Sequence, residues 1–310
     1  MRIKKVSSIL LCMIITLSSL GNWMNVYAKE DEKNTQDSVT VIACSDYQHP
    51  GGNTSGSTTV TNIISQIKAH GYDEADGFLA MGDYDYEYVE TAEGIASLKN
   101  TVKGAYSELA DDRMIFVQGN HDIAGAAGLS ASGANDTNEY GVYVIHEDDF
   151  PMDGGTDEGV RKVAGELDDY LKAKADAGYE QPIFVVSHVP LHYSTRTRVD
   201  GVGKYAQYIF EVLNQRAAEG QTIIYMFGHN HNSWGYDDYL GTGSVYLTEG
   251  DELYVGKLGA TSAVPTEYEL HFTYMNAGYI GYNFSETQGA DTTLTMTVFQ
   301  IEDGLVTVER

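Results

Sequence analysis

The sequence predicts an α/β fold built around a largely parallel sheet. From residue 38 onward, short apolar runs alternate with segments of helical spacing, and this βαβαβ order is typical of parallel strands joined by crossover helices. Polar residues follow five of the apolar runs. In an α/β sheet, the residues that follow the strands form the edge where ligands bind. The chain has 310 residues, of which 42% are hydrophobic, and this is enough for one large globular domain.

The alternating elements occupy the first three quarters of the chain. In order, the patterns predict a strand at 39–44, a helix at 59–70 that ends at Gly71, a strand at 77–81, a helix at 87–109 and a strand at 114–118. Residues 124–138 are rich in Gly, Ala, Ser and Asn without any period, which predicts a surface loop. The alternation then resumes with a strand at 142–146, a helix at 157–177, a strand at 182–187, a helix at 204–218 and a strand at 222–227.

The last quarter of the chain is predicted to be mainly strands. Strand-like pieces occur at 244–247, 267–274 and 292–301, and Glu302-Asp303-Gly304 is typical of a hairpin turn into a strand at 305–308. The sequence contains no internal repeat and no second linker. We therefore expect a single domain over residues 38–310.

The first 37 residues differ from the rest in composition. Three basic residues precede a mostly apolar run over residues 6–20, and the small residue Ala28 stands before Lys29. This order predicts a secretory signal peptide over residues 1–28, followed by a flexible polar leader at 29–37. The apolar run is shorter than the roughly 20 residues that a spanning helix needs, so we expect a secreted or extracytoplasmic protein with no stable membrane span.

Charge and cysteine content exclude two classes of protein. The 45 Asp and Glu residues outnumber 19 Lys and Arg residues, for a formal net charge of −26, whereas nucleic-acid binding needs clustered Lys and Arg. Cys12 lies inside the apolar run, so Cys44 would be the only cysteine after cleavage. We therefore expect neither nucleic-acid scaffold binding nor a disulfide-stapled fold.

Residues suited to metal binding and acid–base chemistry follow five predicted strands. The five clusters are Ser45-Asp46-Tyr47-Gln48-His49, Gly82-Asp83-Tyr84-Asp85-Tyr86, Gly119-Asn120-His121-Asp122, Ser187 to His192, and Gly228-His229-Asn230-His231. Because the carboxyl ends of parallel strands meet at one crevice, we expect these clusters to converge. Any one of them fits ordinary turn chemistry, but together they offer carboxylate, imidazole and amide ligands for hard to borderline divalent metals.

This set of motifs resembles the calcineurin-like metallophosphoesterase family. The family pattern is D-x-H, GD-x-x-[DY], GNH-[DE], a later strand-end His and GH-x-H, and the resemblance spans Asp46 to His231 in that order. It implies a four-layer α/β/β/α sandwich of two mixed sheets with the helices outside. It also implies a hydrolase that cleaves phosphate mono- or diesters at a dinuclear metal centre.

The resemblance implies two sets of metal ligands that share one carboxylate. The sets are Asp46, Asp83 and His231 for one ion, and Asp83, Asn120, His188 and His229 for the other. The ions would be divalent or mixed-valence Mn, Zn or Fe, and a hydroxide between them would attack phosphorus. His121 would protonate the departing oxygen as general acid, with Asp122 holding its ring in the required tautomer.

The first motif departs from the family pattern at Gln48, which stands where the family has His. A Gln carbonyl ligates through oxygen but binds zinc or iron more weakly than imidazole does. Tyr86 is a rival for the same coordination position, as in the purple acid phosphatase branch, where a tyrosine binds ferric iron. A purple acid phosphatase-type enzyme, and a non-catalytic secreted binding module with a degenerate site, are the alternatives to the main interpretation.

The loop after the fourth motif-bearing strand offers candidate substrate contacts. It contains His192, Arg196 and Arg198 in a chain with few basic residues. An arginine beside a dimetal site suits bidentate recognition of phosphate, although ion pairs with surface carboxylates are the alternative role. The sequence leaves the substrate, the choice between monoester and diester, and the oligomeric state open.

Overall fold

The structure is a computed structural model that describes residues 38–48, 55–85, 90–152, 155–192, 205–231, 246–255, 266–281 and 295–309. All of these residues belong to one compact unit, Ser38–Arg310. The predicted signal peptide and leader lie outside the described residues. None of the helices within the described ranges has the length and apolar character that crossing a membrane requires.

Four α-helices and thirteen strands make up the described part of the chain. The helices are α1 (Ser55–Ala69), α2 (Thr91–Ala105), α3 (Asp157–Asp176) and α4 (Ala206–Ala218). The first seven strands are β1 (Val39–Cys44), β2 (Gly77–Met81), β3 (Met114–Val117), β4 (Gly133–Ala134), β5 (Gly141–Ile145), β6 (Ile183–Ser187) and β7 (Ile223–Phe227). The remaining strands are β8 (Tyr246–Leu247), β9 (Glu252–Val255), β10 (Thr266–Glu269), β11 (Thr273–Asn276), β12 (Thr297–Glu302) and β13 (Leu305–Glu309).

The strands form two large mixed sheets rather than one largely parallel sheet. The first has the order β13-β12-β1-β2-β3, in which β1, β2 and β3 are parallel and β12 and β13 are antiparallel neighbours. The second has the order β4-β5-β6-β7-β11-β8, with parallel pairing from β5 to β11 and antiparallel edge strands. The α/β fold class and the two mixed sheets are therefore confirmed.

Three buried clusters define the layers of the fold. The middle cluster contains residues of both large sheets, and the ring centroids of Phe184 on β6 and Phe299 on β12 lie 5.2 Å apart within it. A second cluster joins the other face of the first sheet to α1 and α2, and a third joins the other face of the second sheet to α3 and α4. The order is thus helices, sheet, sheet, helices. Because both faces of the central strands are covered, these strands are continuously apolar.

The predicted strand at 267–274 is two strands, and this correction matters for the site. Between β10 and β11 the chain is turned by two long-range hydrogen bonds: the backbone N–H of Leu270 donates to the carbonyl of Asp251 at 2.9 Å, and that of His271 to Oδ1 of Asn214 at 2.7 Å. As a result, β10 pairs with β9, whereas β11 lies beside β7 in the second sheet. The residues that follow β11 therefore reach the same sheet edge as the GH-x-H motif.

The other differences between the predicted and the observed secondary structure are smaller. The predicted loop at 124–138 contains the short strand β4, and β9 was not predicted from the sequence. Helix α2 ends at Ala105 rather than near residue 109, because Tyr106 leaves the helical conformation with φ −123°.

Candidate metal centre

The motif-bearing loops that follow β1, β2 and β7 are joined by hydrogen bonds from their backbone N–H groups. The N–H of Asp46 donates to the carbonyl of Gly82 at 3.1 Å, and that of Gln48 to the carbonyl of Asp83 at 2.7 Å. The N–H of His229 donates to Oδ2 of Asp46 at 3.1 Å. The structure therefore brings strand-end clusters that are distant in sequence into one buried place.

The first predicted ligand set forms a compact buried group. One ligand atom from each of Asp46, Asp83 and His231 lies within 4.8 Å of the other two, and all three side chains are buried. Nε2 of His231 is 3.1 Å from Oδ1 of Asp46. Two carboxylates and one imidazole at this spacing could hold a metal ion.

The second predicted set is organised around the side-chain oxygen of Asn120. This oxygen is 2.9 Å from Nε2 of His188 and 2.8 Å from Nδ1 of His229, and the same Nε2 is 3.3 Å from Oδ1 of Asp83. The other nitrogen of His188 lies 2.7 Å from the carbonyl of Met81, so Nδ1 carries the proton that it donates there. In a neutral ring, Nε2 would then direct a lone pair at two oxygen acceptors. A proton or a cation among these atoms relieves that repulsion.

The pKa values of His188 and Asp46 are shifted in opposite directions, because the centre combines buried carboxylates with imidazoles. Burial alone would lower the pKa of His188, but Asp83 and Asp46 raise it more, so the pKa lies above its ordinary value. Burial alone would raise the pKa of Asp46, but the charge and hydrogen bond of His231 hold it well below its ordinary value. Both shifts favour ionised carboxylates with positive charge between them.

Backbone strain is concentrated at the candidate ligands. Five of them have a left-handed backbone conformation, which non-glycine residues seldom adopt: Asp46 (φ 54°), Gln48 (42°), Asp83 (57°), His229 (64°) and His231 (52°). Within the described ranges, the only other non-glycine residue with positive φ is Asp303 in the β12–β13 turn. Strain of about 1–3 kcal/mol per residue is tolerated where the surrounding structure enforces it, and it clusters at functional sites.

Glycines in the motifs allow the loops to approach closely. A Cβ atom at Gly119 would overlap Oδ1 of Asp83, and a Cβ atom at Gly228 would overlap Oγ of Ser45. Because no side chain fits at either position, both glycines are required by the geometry of the centre.

The carboxylate of Asp122 accepts hydrogen bonds from the backbone of two motifs. Its Oδ2 accepts N–H groups of Gly119 at 2.7 Å and Asp83 at 2.8 Å, and its Oδ1 accepts that of Tyr84 at 2.8 Å and, at 3.3 Å, that of the next residue. Burial and the charge of Asp83 raise the pKa of Asp122 to about 6, against the lowering effect of the Gly119 and Tyr84 bonds. Asp122 therefore holds the second and third motifs together, and its role in orienting the His121 ring stays a prediction.

His121 lies at the solvent side of the centre. Its side chain is exposed, and its backbone N–H donates to Oδ1 of Asp83 at 3.1 Å. This bond fixes the backbone of His121 beside the shared carboxylate while the imidazole stays accessible. The general-acid role of His121 stays a prediction.

His192, a predicted substrate contact, is buried beside the GH-x-H motif. Its side chain is 0% exposed, with Nδ1 2.7 Å from the hydroxyl of Tyr274 and Nε2 3.1 Å from Nδ2 of Asn230. His192 thus supports the residue between the two histidines of the GH-x-H motif. Three other candidates lie outside the described residues: Tyr86, Arg196 and Arg198.

The segment after β11 contributes contacts that sequence reasoning missed. The ring of Tyr279 stacks on His231 with centroids 4.5 Å apart and planes 15° apart. Nδ2 of Asn276 donates to the carbonyl of His231 at 3.2 Å, and Oδ1 of Asn276 accepts the N–H of Gly278 at 2.9 Å. The only available signal was polar and turn-forming residues after a strand, which is too common to identify a site.

The comparisons with known proteins agree with this geometry. A family model described as calcineurin-like phosphoesterase matches residues 39–233. This range contains all five strand-end motifs. A search of curated proteins found no match to the chain.

Proposed function

The chain belongs to the calcineurin-like phosphoesterase family, and from this we propose that it hydrolyses phosphate mono- or diesters at the buried metal centre. The observation that carries the proposal is the group of Asp46, Asp83 and His231, whose ligand atoms lie within 4.8 Å of one another. The family is one of metal-dependent phosphoester hydrolases, and this donor set suits divalent cations.

We propose that the centre takes two cations, with Asp83 shared between them. Asn120, His188 and His229 support the second position, because their side-chain donors approach within 3 Å around the Asn120 oxygen. When bound, such cations polarise phosphoryl oxygens and lower the pKa of a water molecule. Asp122 holds the backbone of Asp83 in place, and the buried surroundings exclude bulk water from the carboxylates.

In this proposal His121 donates a proton to the departing oxygen of the ester. Its exposed ring can reach a substrate, and the hydrogen bond from its backbone to Asp83 fixes its distance from the centre. Positioned proton transfer of this kind contributes about 10²–10⁴-fold to rate.

The His121→Gln variant should therefore lose about 10²–10⁴-fold in kcat while it keeps the metal content of the unsubstituted protein. Both are measured on the same sample, with p-nitrophenyl phosphate as substrate and metal analysis of the purified protein. The loss should be greater with phenyl phosphate, because a more basic leaving oxygen needs the proton more. His70→Gln, at an exposed position after α1, is the matched control. Loss of metal together with activity would contradict the assigned role.

Removal of metal should lower stability as well as activity. Bound cations neutralise the buried carboxylates of Asp46 and Asp83, which are brought together only in the folded protein. A metal ion that binds only the folded state, at a hundredfold excess over its Kd, should add about 2.7 kcal/mol to the free energy of unfolding. The protein is treated with a chelator and then reloaded separately with Mn²⁺, Zn²⁺ or Fe²⁺. Thermal unfolding and cleavage of aryl phosphate mono- and diesters are then measured. Activity that persists in metal-free protein would refute the proposed function, and stable metal binding without any turnover would favour a binding module.

We also propose that the protein acts outside the cytoplasm after cleavage behind Ala28. The proposal is supported by the order of basic residues, apolar run and small residue in the first 28 positions. N-terminal sequencing of the exported protein tests it, with Lys29 as the expected first residue.

A further inference from the structure

Gln48 presents a buried amide to the centre formed by Asp46, Asp83 and His231. The residue is 2% exposed, and its N–H donates to the carbonyl of Asp83 at 2.7 Å. Its φ of 42° lies in the left-handed region. The loop that carries Asp83 therefore holds Gln48 in a conformation that costs about 1–3 kcal/mol.

The amide oxygen of Gln48 is buried and has no hydrogen-bond partner among the residues that the structure describes. Burying a carbonyl without a partner costs about 1–3 kcal/mol. Oδ2 of Asp83 is buried without a hydrogen bond in the same way, and Oδ1 of Asp46 has Nε2 of His231 as its neighbour at 3.1 Å. Carbonyl and carboxylate oxygens on three neighbouring residues form a donor set for a cation.

The distances around His231 are those expected of ligands that share one ion. Donor atoms that bind one cation at about 2.1 Å lie roughly 3 Å apart when they are at right angles. Nε2 of His231 is 3.1 Å from Oδ1 of Asp46 and 3.2 Å from the amide nitrogen of Gln48. Rotation by half a turn about the last side-chain torsion exchanges the two amide atoms: the oxygen then takes the position beside His231, and the nitrogen takes the position that has no partner.

We propose that Gln48 is a metal ligand through its amide oxygen, together with Asp46, Asp83 and His231, and that this oxygen lowers the ratio of Zn²⁺ to Mn²⁺ affinity compared with an imidazole at the same position. The inference rests on the proposed function, because it concerns one cation of the same centre. It assigns Gln48, one of the two rival ligands named from the sequence, a role in metal selectivity.

The chemistry of the donor set supports this selectivity. Carboxylate and carbonyl oxygens suit manganese, whereas imidazole suits zinc, copper and iron. With Gln48 in the set, three residues offer oxygen and only His231 offers nitrogen. Replacing the amide by imidazole should therefore strengthen zinc binding more than manganese binding.

The test measures metal affinity directly. Chelator-treated full-length protein is titrated with MnCl₂ and, separately, with ZnCl₂ by calorimetry, for the unsubstituted chain and for Gln48→Leu, Gln48→His and Gln48→Glu. Gln221→Leu is the matched control, because Gln221 also has a buried amide oxygen without a hydrogen bond in the described part of the chain, but its Nε2 donates to the carbonyl of Leu171. Cobalt(II) absorption spectra provide a second readout of the ligand set.

Gln48→Leu should weaken Mn²⁺ binding at one of the two positions by at least about tenfold, and Gln221→Leu should leave it unchanged. Gln48→Glu should retain Mn²⁺ binding, which shows that a loss in Gln48→Leu reflects a lost oxygen rather than misfolding. Gln48→His should raise the ratio of Zn²⁺ to Mn²⁺ affinity by about tenfold or more and change the cobalt spectrum.

Unchanged Mn²⁺ affinity in Gln48→Leu, or an unchanged affinity ratio and cobalt spectrum in Gln48→His, would overturn the inference. In that case metal-dependent hydrolysis by the unsubstituted protein would leave the proposed function intact. If the unsubstituted protein bound neither cation, the inference would be overturned, and absence of Fe²⁺ binding as well would overturn the proposed function.

Discussion

Asp83→Asn should abolish metal binding and phosphoesterase activity together. Asp83 is buried, has one ligand atom in the group with Asp46 and His231, and lies 3.3 Å from Nε2 of His188. An amide carries no negative charge and cannot bridge two cations as a carboxylate does. Loss of several kcal/mol of Lewis-acid stabilisation should lower kcat by roughly a thousandfold or more.

The fold should survive this substitution, which makes the result informative. The amide has the size of the carboxylate and keeps an oxygen that can accept the N–H of His121. The measurements are metal content, kcat with an aryl phosphate, and the far-UV circular dichroism spectrum. Asp168→Asn is the control, because it removes one carboxylate of a surface ion pair with Arg216, between α3 and α4. Activity within tenfold of the unsubstituted protein would remove Asp83 from the proposed centre.

Asp122→Asn should cause the largest loss of stability among these variants. The carboxylate of Asp122 accepts four backbone N–H groups, and a hydrogen bond to a charged group contributes about 1.5–3 kcal/mol. The amide has one acceptor oxygen, and its NH₂ group would face two of the N–H donors. The free energy of unfolding should therefore fall by about 1–3 kcal/mol, because removal of the repulsion from Asp83, which raises the pKa of Asp122, offsets part of the lost hydrogen bonding. Because the Asp83 loop loosens, metal affinity should fall by about tenfold or more as well.

Denaturant unfolding of the metal-free protein and calorimetric metal titration measure these two effects. Asp112→Asn provides the control, because this carboxylate is exposed in the turn Asp111–Arg113. If Asp122 instead acted by orienting His121, the substitution would change the pH dependence of kcat and leave the stability of the metal-free protein unchanged.

The strands that carry the site could be predicted because their sequence signal is local. β1, β2, β3, β6 and β7 are buried on both faces, so each one is a short continuous apolar run followed by a polar turn. Parallel strands deliver their carboxyl ends to one edge, and this rule was sufficient to predict that the clusters after them converge. The break between β10 and β11 could not be predicted, because it depends on hydrogen bonds of Leu270 and His271 to partners distant in the chain.

The same distinction applies to the residues around the centre. The candidate ligands were assigned through the resemblance to the family, whose short motifs combine residue types that bind metals. Polar residues beside the motifs have no such signal, because the sequence pattern around a polar residue does not show whether its side chain is buried or exposed. The sequence does not show that His192 is fully buried between Tyr274 and Asn230. The stacking of Tyr279 on His231 joins segments that have no motif in common.

By itself, the sequence determined the α/β class, the family and the order of candidate ligands along the chain, because these depend on local periodicity and on short motifs. Only the tertiary structure decided which side chains support the ligands and which reach solvent. Hydrogen bonds and burial depend on residues brought together from distant elements, as Asp122 shows: its carboxylate binds backbone N–H groups of both the second and the third motif. The sequence named Gln48 as a departure from the family, and its buried, unpaired amide oxygen gives that departure a chemical meaning.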